Sequence, residues 1–261
     1  MPIQARDRSA DVFGVSCPTS DWCMAAGVGA QEKRIASMVL SGGRWRAVAA
    51  PAIKGALHFT LNALSCTSRR FCIAVGDTTV VTASRLHGEL LTVLYDGSSW
   101  RVLPMPITFP RTLPSLNGVS CPRTGECVAV GNSNFYSASP GRQLIIRFRA
   151  GRWSLMAARA RTGTEPLAIS CAAPGACMAV GVQEVGAPVV ERLAHDTWSM
   201  LPAQSPGPPT RSENGAIFAD TLDSVACITT ARCVAVGDYD GSPFSELIGR
   251  ANASLLAVPA P

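Results

Sequence analysis

The chain has 261 residues, of which 47% are hydrophobic and only 16% charged, with a formal net charge of +5. Disorder needs low hydrophobicity and high net charge, so it is excluded, and the 23 Gly and 19 Pro are scattered without a fibrous period. Apolar runs stay short of the roughly 18 residues a membrane helix needs. The arginines are spread along the chain rather than gathered into the basic stripe of a nucleic-acid surface. Neither a membrane span nor a nucleic-acid partner is therefore expected.

In chain order, Met1 to Arg8 lacks the apolar segment of a signal peptide. A repeat then begins, marked by five cysteine pairs with one spacing, C-x5-C: Cys17/Cys23, Cys66/Cys72, Cys121/Cys127, Cys171/Cys177 and Cys227/Cys233. The second copy shows the plan. Ala63-Leu64-Ser65-Cys66 leads through five residues to Cys72-Ile73-Ala74-Val75-Gly76. A third apolar stretch follows at Leu91 to Tyr95, then a turn and Trp100-Arg101-Val102-Leu103-Pro104. Trp45, Trp153 and Trp198 hold the place of Trp100 in copies 1, 3 and 4, and Leu255 replaces it in copy 5. The runs are short, rich in Val, Ile and Leu, and bounded by Gly, Pro, Ser and Asp, as strands are. A period near 50 residues with four such runs per copy reads as a β-propeller.

The expectation is therefore an all-β chain: a single domain over 1–261, a five-bladed β-propeller of four-stranded antiparallel blades. The blades span about 12–51, 61–106, 116–157, 166–203 and 222–259. Innermost to outermost, the strands of each blade are called A to D. The first copy begins on an innermost strand and the last ends on an outermost one. Either blade packing alone closes the ring, or the five blades come from a longer array.

Each cysteine pair falls where strands A and B form a hairpin, and residues facing each other across such strands are close enough for a disulfide. Five separate pairs cannot each complete a tetrahedral zinc site. One disulfide per blade is the expectation, with reduced core thiols as the alternative. Bridged cysteines place the chain in an oxidising compartment, extracellular or at the cell surface.

With V-S-C, A-V-G and the tryptophan opening strand D, residues 12–259 resemble the Asp-box (bacterial neuraminidase repeat) propellers. They resemble still more closely the C-x5-C repeats of secreted actinobacterial propeller proteins. Asp96-Gly97-Ser98-Ser99-Trp100 comes nearest the Asp-box turn, with the aspartate one place nearer the tryptophan than the motif requires. The resemblance implies the fold; no residue here matches a sialidase catalytic position, and fold does not carry function.

The A–B loop is always five residues between cysteines and the C–D turn is always short, whereas the B–C and D–A connections vary, as between Asp77–Gly88 and Val182–Pro188. Variable loops carry function, so the working face is expected at the B–C and D–A end. Two positions there co-vary. Strand A opens with Phe13, Asn62, Asn117, Leu167 and Asp223, and strand B ends with Val28, Asp77, Asn132, Val182 and Asp238. Candidate ligand-binding residues are Asn62, Asp77, Asn117, Asn132, Asp223, Asp238 and Tyr239, lining a partly acidic, partly apolar funnel. The alternative is that Asn and Asp merely supply turn chemistry.

Asp238-Tyr239-Asp240-Gly241 reads as an Asp-Gly hairpin turn rather than a calcium loop. His58, His87 and His195 have no metal-ligand spacing, so no metal or cofactor is expected. The function expected is binding of a carbohydrate or protein ligand. The alternative is a glycoside hydrolase using two of Asp77, Asp223 and Asp238, because glycosidases need paired carboxylates. Trp22, inside the first cysteine loop, is expected to be exposed.

Overall fold

The computed structural model describes residues 10–29, 34–82, 85–109, 112–134, 141–156, 163–183, 186–207, 220–229, 231–240, 242–249 and 253–256. Every assigned element among them is a strand, in five antiparallel sheets. Blade 1 comprises β1 (Asp11–Thr19), β2 (Trp22–Val28), β3 (Ile35–Ser41) and β4 (Arg44–Ala47). Blade 2 holds β5 (Ala56–Phe59), β6 (Ala63–Ser68), β7 (Phe71–Thr82), β8 (Arg85–Tyr95) and β9 (Trp100–Val102). Blade 3 is built from β10 (Ser115–Arg123), β11 (Glu126–Asn132), β12 (Gln143–Arg149) and β13 (Arg152–Leu155). Blade 4 has β14 (Thr164–Ala173), β15 (Ala176–Gln183), β16 (Pro188–Ala194) and β17 (Thr197–Leu201). Blade 5 follows with β18 (Thr221–Thr229), β19 (Arg232–Tyr239), β20 (Ser242–Ile248) and β21 (Ala253–Leu256). Blades 1, 3, 4 and 5 have sequential A-B-C-D order, and all five stand in a propeller arrangement.

Five disulfides, one per blade, join the expected partners: Cys17 with Cys23, Cys66 with Cys72, Cys121 with Cys127, Cys171 with Cys177 and Cys227 with Cys233. Their Cα separations are 3.9–4.1 Å. Each pair faces across the A–B hairpin, as expected. Cys66/Cys72, Cys171/Cys177 and Cys227/Cys233 are ladder partners, and the pairs Ser16–Met24 and Ser120–Val128 carry the same register to the edge of Cys17/Cys23 and Cys121/Cys127. In all five blades the register shifts at the end of strand A, at or just past the first cysteine.

The glycine closing each A-V-G run has a local cause. At Gly131 a Cβ would lie 2.0 Å from the Ser115 carbonyl oxygen, and Gly27, Gly76, Gly181 and Gly237 meet the equivalent oxygen. Strand A bulges at that point in blades 1, 3, 4 and 5, and a bulge brings backbone close to its neighbour.

The core lies between blades rather than within them. One cluster joins blades 1 and 2 through Met24, Ala26, Leu61 and Trp100. A second joins blades 2 and 3 through Ile73, Val75, Leu116 and Val119. Val128, Val130, Ile145 and Ile169 link blades 3 and 4, and Val180, Val190, Leu222 and Val225 link blades 4 and 5. Among the described residues no fifth cluster joins blade 5 to blade 1.

Two expectations are corrected. The stretch from Asp77 to Gly88 is mostly strand rather than loop, because Thr78, Thr79, Val80, Val81 and Thr82 are all β-branched and favour extended pairing. It carries β7 and β8 into a long hairpin whose inner edge is lengthened by β5, which pairs Ala56 with Val80 and Phe59 with Thr78. Trp22 is buried rather than exposed: it begins strand B and packs into the cluster between blades 1 and 2. The tryptophans of strand D are buried at Trp100 and Trp153 and half-buried at Trp45 and Trp198. Trp100 ties blade 2 to blade 1 by donating its Nε1–H to Ser37 Oγ at 3.0 Å.

Candidate functional site

Asn117 and Asp223 are the extra, bulged residues of their strands A, as are Phe13 and Leu167, and Asn62 occupies the same place where β5 gives way to β6. A bulge re-aims a side chain, and here it aims asparagine at the following blade. Asn62 Nδ2 donates to Ser115 Oγ at 3.0 Å and to the Leu116 carbonyl at 2.9 Å. Asn117 Nδ2 donates to the Pro166 carbonyl, the equivalent oxygen one blade on, at 3.1 Å.

Asp77 joins the first of these networks. Its Oδ1 accepts from Thr60 Oγ1 and from Ser115 Oγ, each at 2.8 Å. Burial pushes the Asp77 carboxyl above its usual range, with the bonds from Thr60, Ser115 and Asn62 opposing. Glu165 is pushed up by burial too, with a bond from Asn117 opposing. Asn132 is buried, and its Oδ1 accepts the Asn134 N–H at 2.7 Å, closing its own turn. Asp223 is exposed, while Asp238 and Tyr239 are half-buried. Tyr239 pairs with Ser242, and Asp240, which follows Tyr239, has φ +49°. The structure thus brings Asn62 and Asp77 together across the joint of blades 2 and 3. Asp223 and Asp238 lie on neighbouring strands of blade 5, away from that joint.

Sequence reasoning missed a groove on blade 2, of about 1140 Å³. Its floor is the β7–β8 hairpin, with Thr78, Val80 and Leu86 to Leu91. One wall is Pro51 to Lys54, from the connection between blades 1 and 2, and the other is Met105 to Phe109, from the next connection. The second wall is fixed to the floor where Gly88 N–H meets the Thr112 carbonyl at 3.3 Å. A Cβ on Gly88 would also press on Leu113 and Pro114 at 2.9 Å. The lining is apolar with a few polar groups, Lys54, Arg101 and the hydrogen-bonded His87 and Glu89, which is the composition that binds small ligands or chain segments. The signal that could have revealed it was the β-branched run after Asp77, which lengthens this hairpin beyond its counterparts.

Two carboxylates were also missed. Glu191 and Glu246 occupy the strand C place filled by Met38, Val93 and Ile146 in the other blades, opposite the central alanine of strand B. Both are buried. Glu191 accepts from Gln143 Nε2 of blade 3, and Glu246 Oε1 accepts the Gln204 N–H at 2.6 Å. Burial pushes the Glu246 carboxyl up. Among the described residues no group of three or more His, Cys, Asp or Glu is placed to hold a metal ion, and no helix is long and apolar enough to cross a membrane.

The fold places the chain among β-propellers, a class that its likeness to solved structures bears out. YCF48 bound to D1 peptide superposes with a TM-score of 0.55 at 14% identity, over 95% of this chain and 67% of that one. The fucose-specific lectin from Aleuria aurantia superposes with a TM-score of 0.57 at 9% identity, over 95% and 79%. The α-L-arabinanase of Penicillium chrysogenum, complexed with arabinobiose, reaches 0.44 at 11%, over 83% and 67%. At these identities the likeness is one of fold. No family model matches the chain, and no curated protein does.

Proposed function

We propose that this chain is a binding module, one disulfide-stapled propeller domain that takes a carbohydrate or protein ligand at the face built by the B–C and D–A connections. The observation that carries the reading is the blade 2 groove, made where those connections and the long B–C hairpin meet. A propeller of this shape serves as a lectin in one solved relative by fold and holds a peptide in another, so both ligand classes suit the architecture. The five disulfides fit an oxidising compartment, and the extracellular or cell-surface setting is part of the proposal, as is kinship with the Asp-box and actinobacterial propellers. Asp223, Asp238 and Tyr239 extend the ligand face on blade 5. Asn62, Asp77, Asn117 and Asn132 frame it while holding blades and turns together.

Leu86 and Val102 line the groove and are exposed, so replacing them leaves the core intact. Affinity electrophoresis against polysaccharides, with a peptide array run in parallel, should give retention that Leu86→Arg or Val102→Arg weakens at least tenfold. Retention that both variants keep and Asp223→Asn or Asp238→Asn removes would move the site to blade 5.

A second reading, glycoside hydrolase, has one observation in its favour: the raised Asp77 carboxyl, since perturbed acids collect at catalytic sites. Burial between blades 2 and 3 gives that shift a structural cause as well, with the bonds from Thr60 and Ser115 opposing it.

A further inference from the structure

The arginines scattered along the sequence are gathered by the fold. In every blade the A–B loop and the C–D turn lie at the same end, so charges about one repeat apart in sequence come to one face. Taking each blade from one ladder pair inside its disulfide out to those turns, the described residues hold eleven arginines against four acidic residues, Asp21, Asp96, Glu126 and Asp196. The remaining described residues hold ten acidic residues against four basic ones. The turn end is therefore strongly basic, although the net charge of the whole chain is only +5.

Three of these arginines are held by acids of the same face, Arg69 by Asp21, Arg123 by Glu126 and Arg147 by Asp196. Arg44, Arg46, Arg70, Arg149, Arg152 and Arg232 are exposed and enter no ion pair among the described residues. They come from blades 1, 2, 3 and 5, so the charge runs across the face rather than along one strand. The A–B loop is five residues between cysteines in every blade, and the C–D turns Gly42–Gly43, Ala150–Gly151 and His195–Asp196 are two residues long, so the blades end evenly. A cavity of about 650 Å³ opens in this face, with Arg123, Arg147, Arg149 and Arg192 in its lining. Of these, Arg147 has its Nε buried without a hydrogen-bond partner among the described residues. No Trp, Tyr or Phe at this end is exposed, so a nucleic-acid base finds no ring to stack on.

We propose that this face docks on an anionic lipid surface, with a headgroup phosphate seated among the arginines of the cavity. Blades that end evenly suit a flat partner, whereas a polymer chain would need a groove to follow. Guanidinium forks match phosphate oxygens two at a time, and basic residues near an anionic bilayer are drawn to its surface potential. The hairpin and connections that build the blade 2 groove lie at the opposite, B–C and D–A end, so docking leaves the groove facing away from the membrane. The inference stands independently of the ligand that the groove takes.

Co-sedimentation of the full chain with vesicles tests this, using phosphatidylcholine alone and phosphatidylcholine with about one-third phosphatidylglycerol. Wild type should bind only the anionic vesicles, and salt at about 0.5 M should release it. Two double variants of equal net charge separate the face from the charge of the chain, and all four side chains are exposed, so the fold is kept. Arg70→Glu with Arg149→Glu, on the face, should weaken binding at least about twentyfold. Arg34→Glu with Arg142→Glu, at the other end, should weaken it less than about threefold. Leu86→Arg should bind vesicles as wild type does, which separates this face from the ligand groove. Equal binding to both vesicle types overturns the proposal, as does equal loss in the two double variants. So does retention on an acidic polysaccharide or a DNA duplex without binding to the anionic vesicles.

Discussion

Replacing Ser120 by alanine removes a single oxygen from the joint between blades 3 and 4. Ser120 Oγ accepts the Cys171 N–H at 2.9 Å in a partly buried site. A neutral hydrogen bond contributes about 1 kcal/mol net, and a donor left without a partner adds part of its desolvation cost. The expected loss is about 1–2 kcal/mol. For a chain of this size each kcal/mol lowers the melting temperature by roughly 2–4 °C, so the midpoint should fall by about 2–8 °C. Urea unfolding under non-reducing conditions, followed by tryptophan fluorescence, measures the free energy. Ser65→Ala and Ser170→Ala remove the same bond at neighbouring joints and should cost similar amounts. If all three variants unfold within about 0.3 kcal/mol of wild type, the serine latch is not what holds the blades in register and the reasoning fails.

Other consequences follow from the same geometry. Gly131→Ala should cost more than about 3 kcal/mol or prevent folding, because a Cβ would stand 2.0 Å from the Ser115 carbonyl; a soluble variant with a wild-type midpoint would contradict the close approach. Each disulfide closes a loop with a sequence separation of 6 residues and contributes about 2 kcal/mol by the loop-entropy estimate, so reduction should lower the melting temperature markedly, and an unchanged midpoint would refute the staple. The carboxyls of Asp77, Glu165 and Glu246 are all raised by burial. A raised carboxyl favours the protonated folded state, so their contribution is full below the unfolded pKa values and is lost as pH rises through the folded ones. Asp77→Asn keeps an oxygen for Thr60 and Ser115 but removes the charge, so it should flatten part of that slope in melts from pH 4 to 7; an unchanged slope would show that Asp77 does not titrate in this window.

The fold was legible because each blade repeats its chemistry. Five C-x5-C pairs, the A-V-G run and the strand D tryptophan fixed strand order and disulfide pairing before any coordinates. The register shift at the end of strand A was not legible, since the C-x5-C spacing does not mark where the ladder is interrupted. The blade 2 hairpin was hidden for a different reason: Asp77 to Gly88 has no counterpart in the other copies, and its length alone suggested a loop. The β-branched character of Thr78 to Thr82 outweighed that. Asn62 and Asn117 were visible as a polar pattern at the end of strand A. Their reach to the next blade was not, because it depends on a bulge that sequence does not mark.

The measurement that tests the binding account most directly is retention and reducing-end release, scored on the same polysaccharide panel with the same preparation of the full chain. The account predicts retention of at least one polymer without release of new reducing ends, and loss of that retention in Leu86→Arg. New reducing ends that vanish in Asp77→Asn, Asp223→Asn or Asp238→Asn would contradict it and make the propeller a glycosidase.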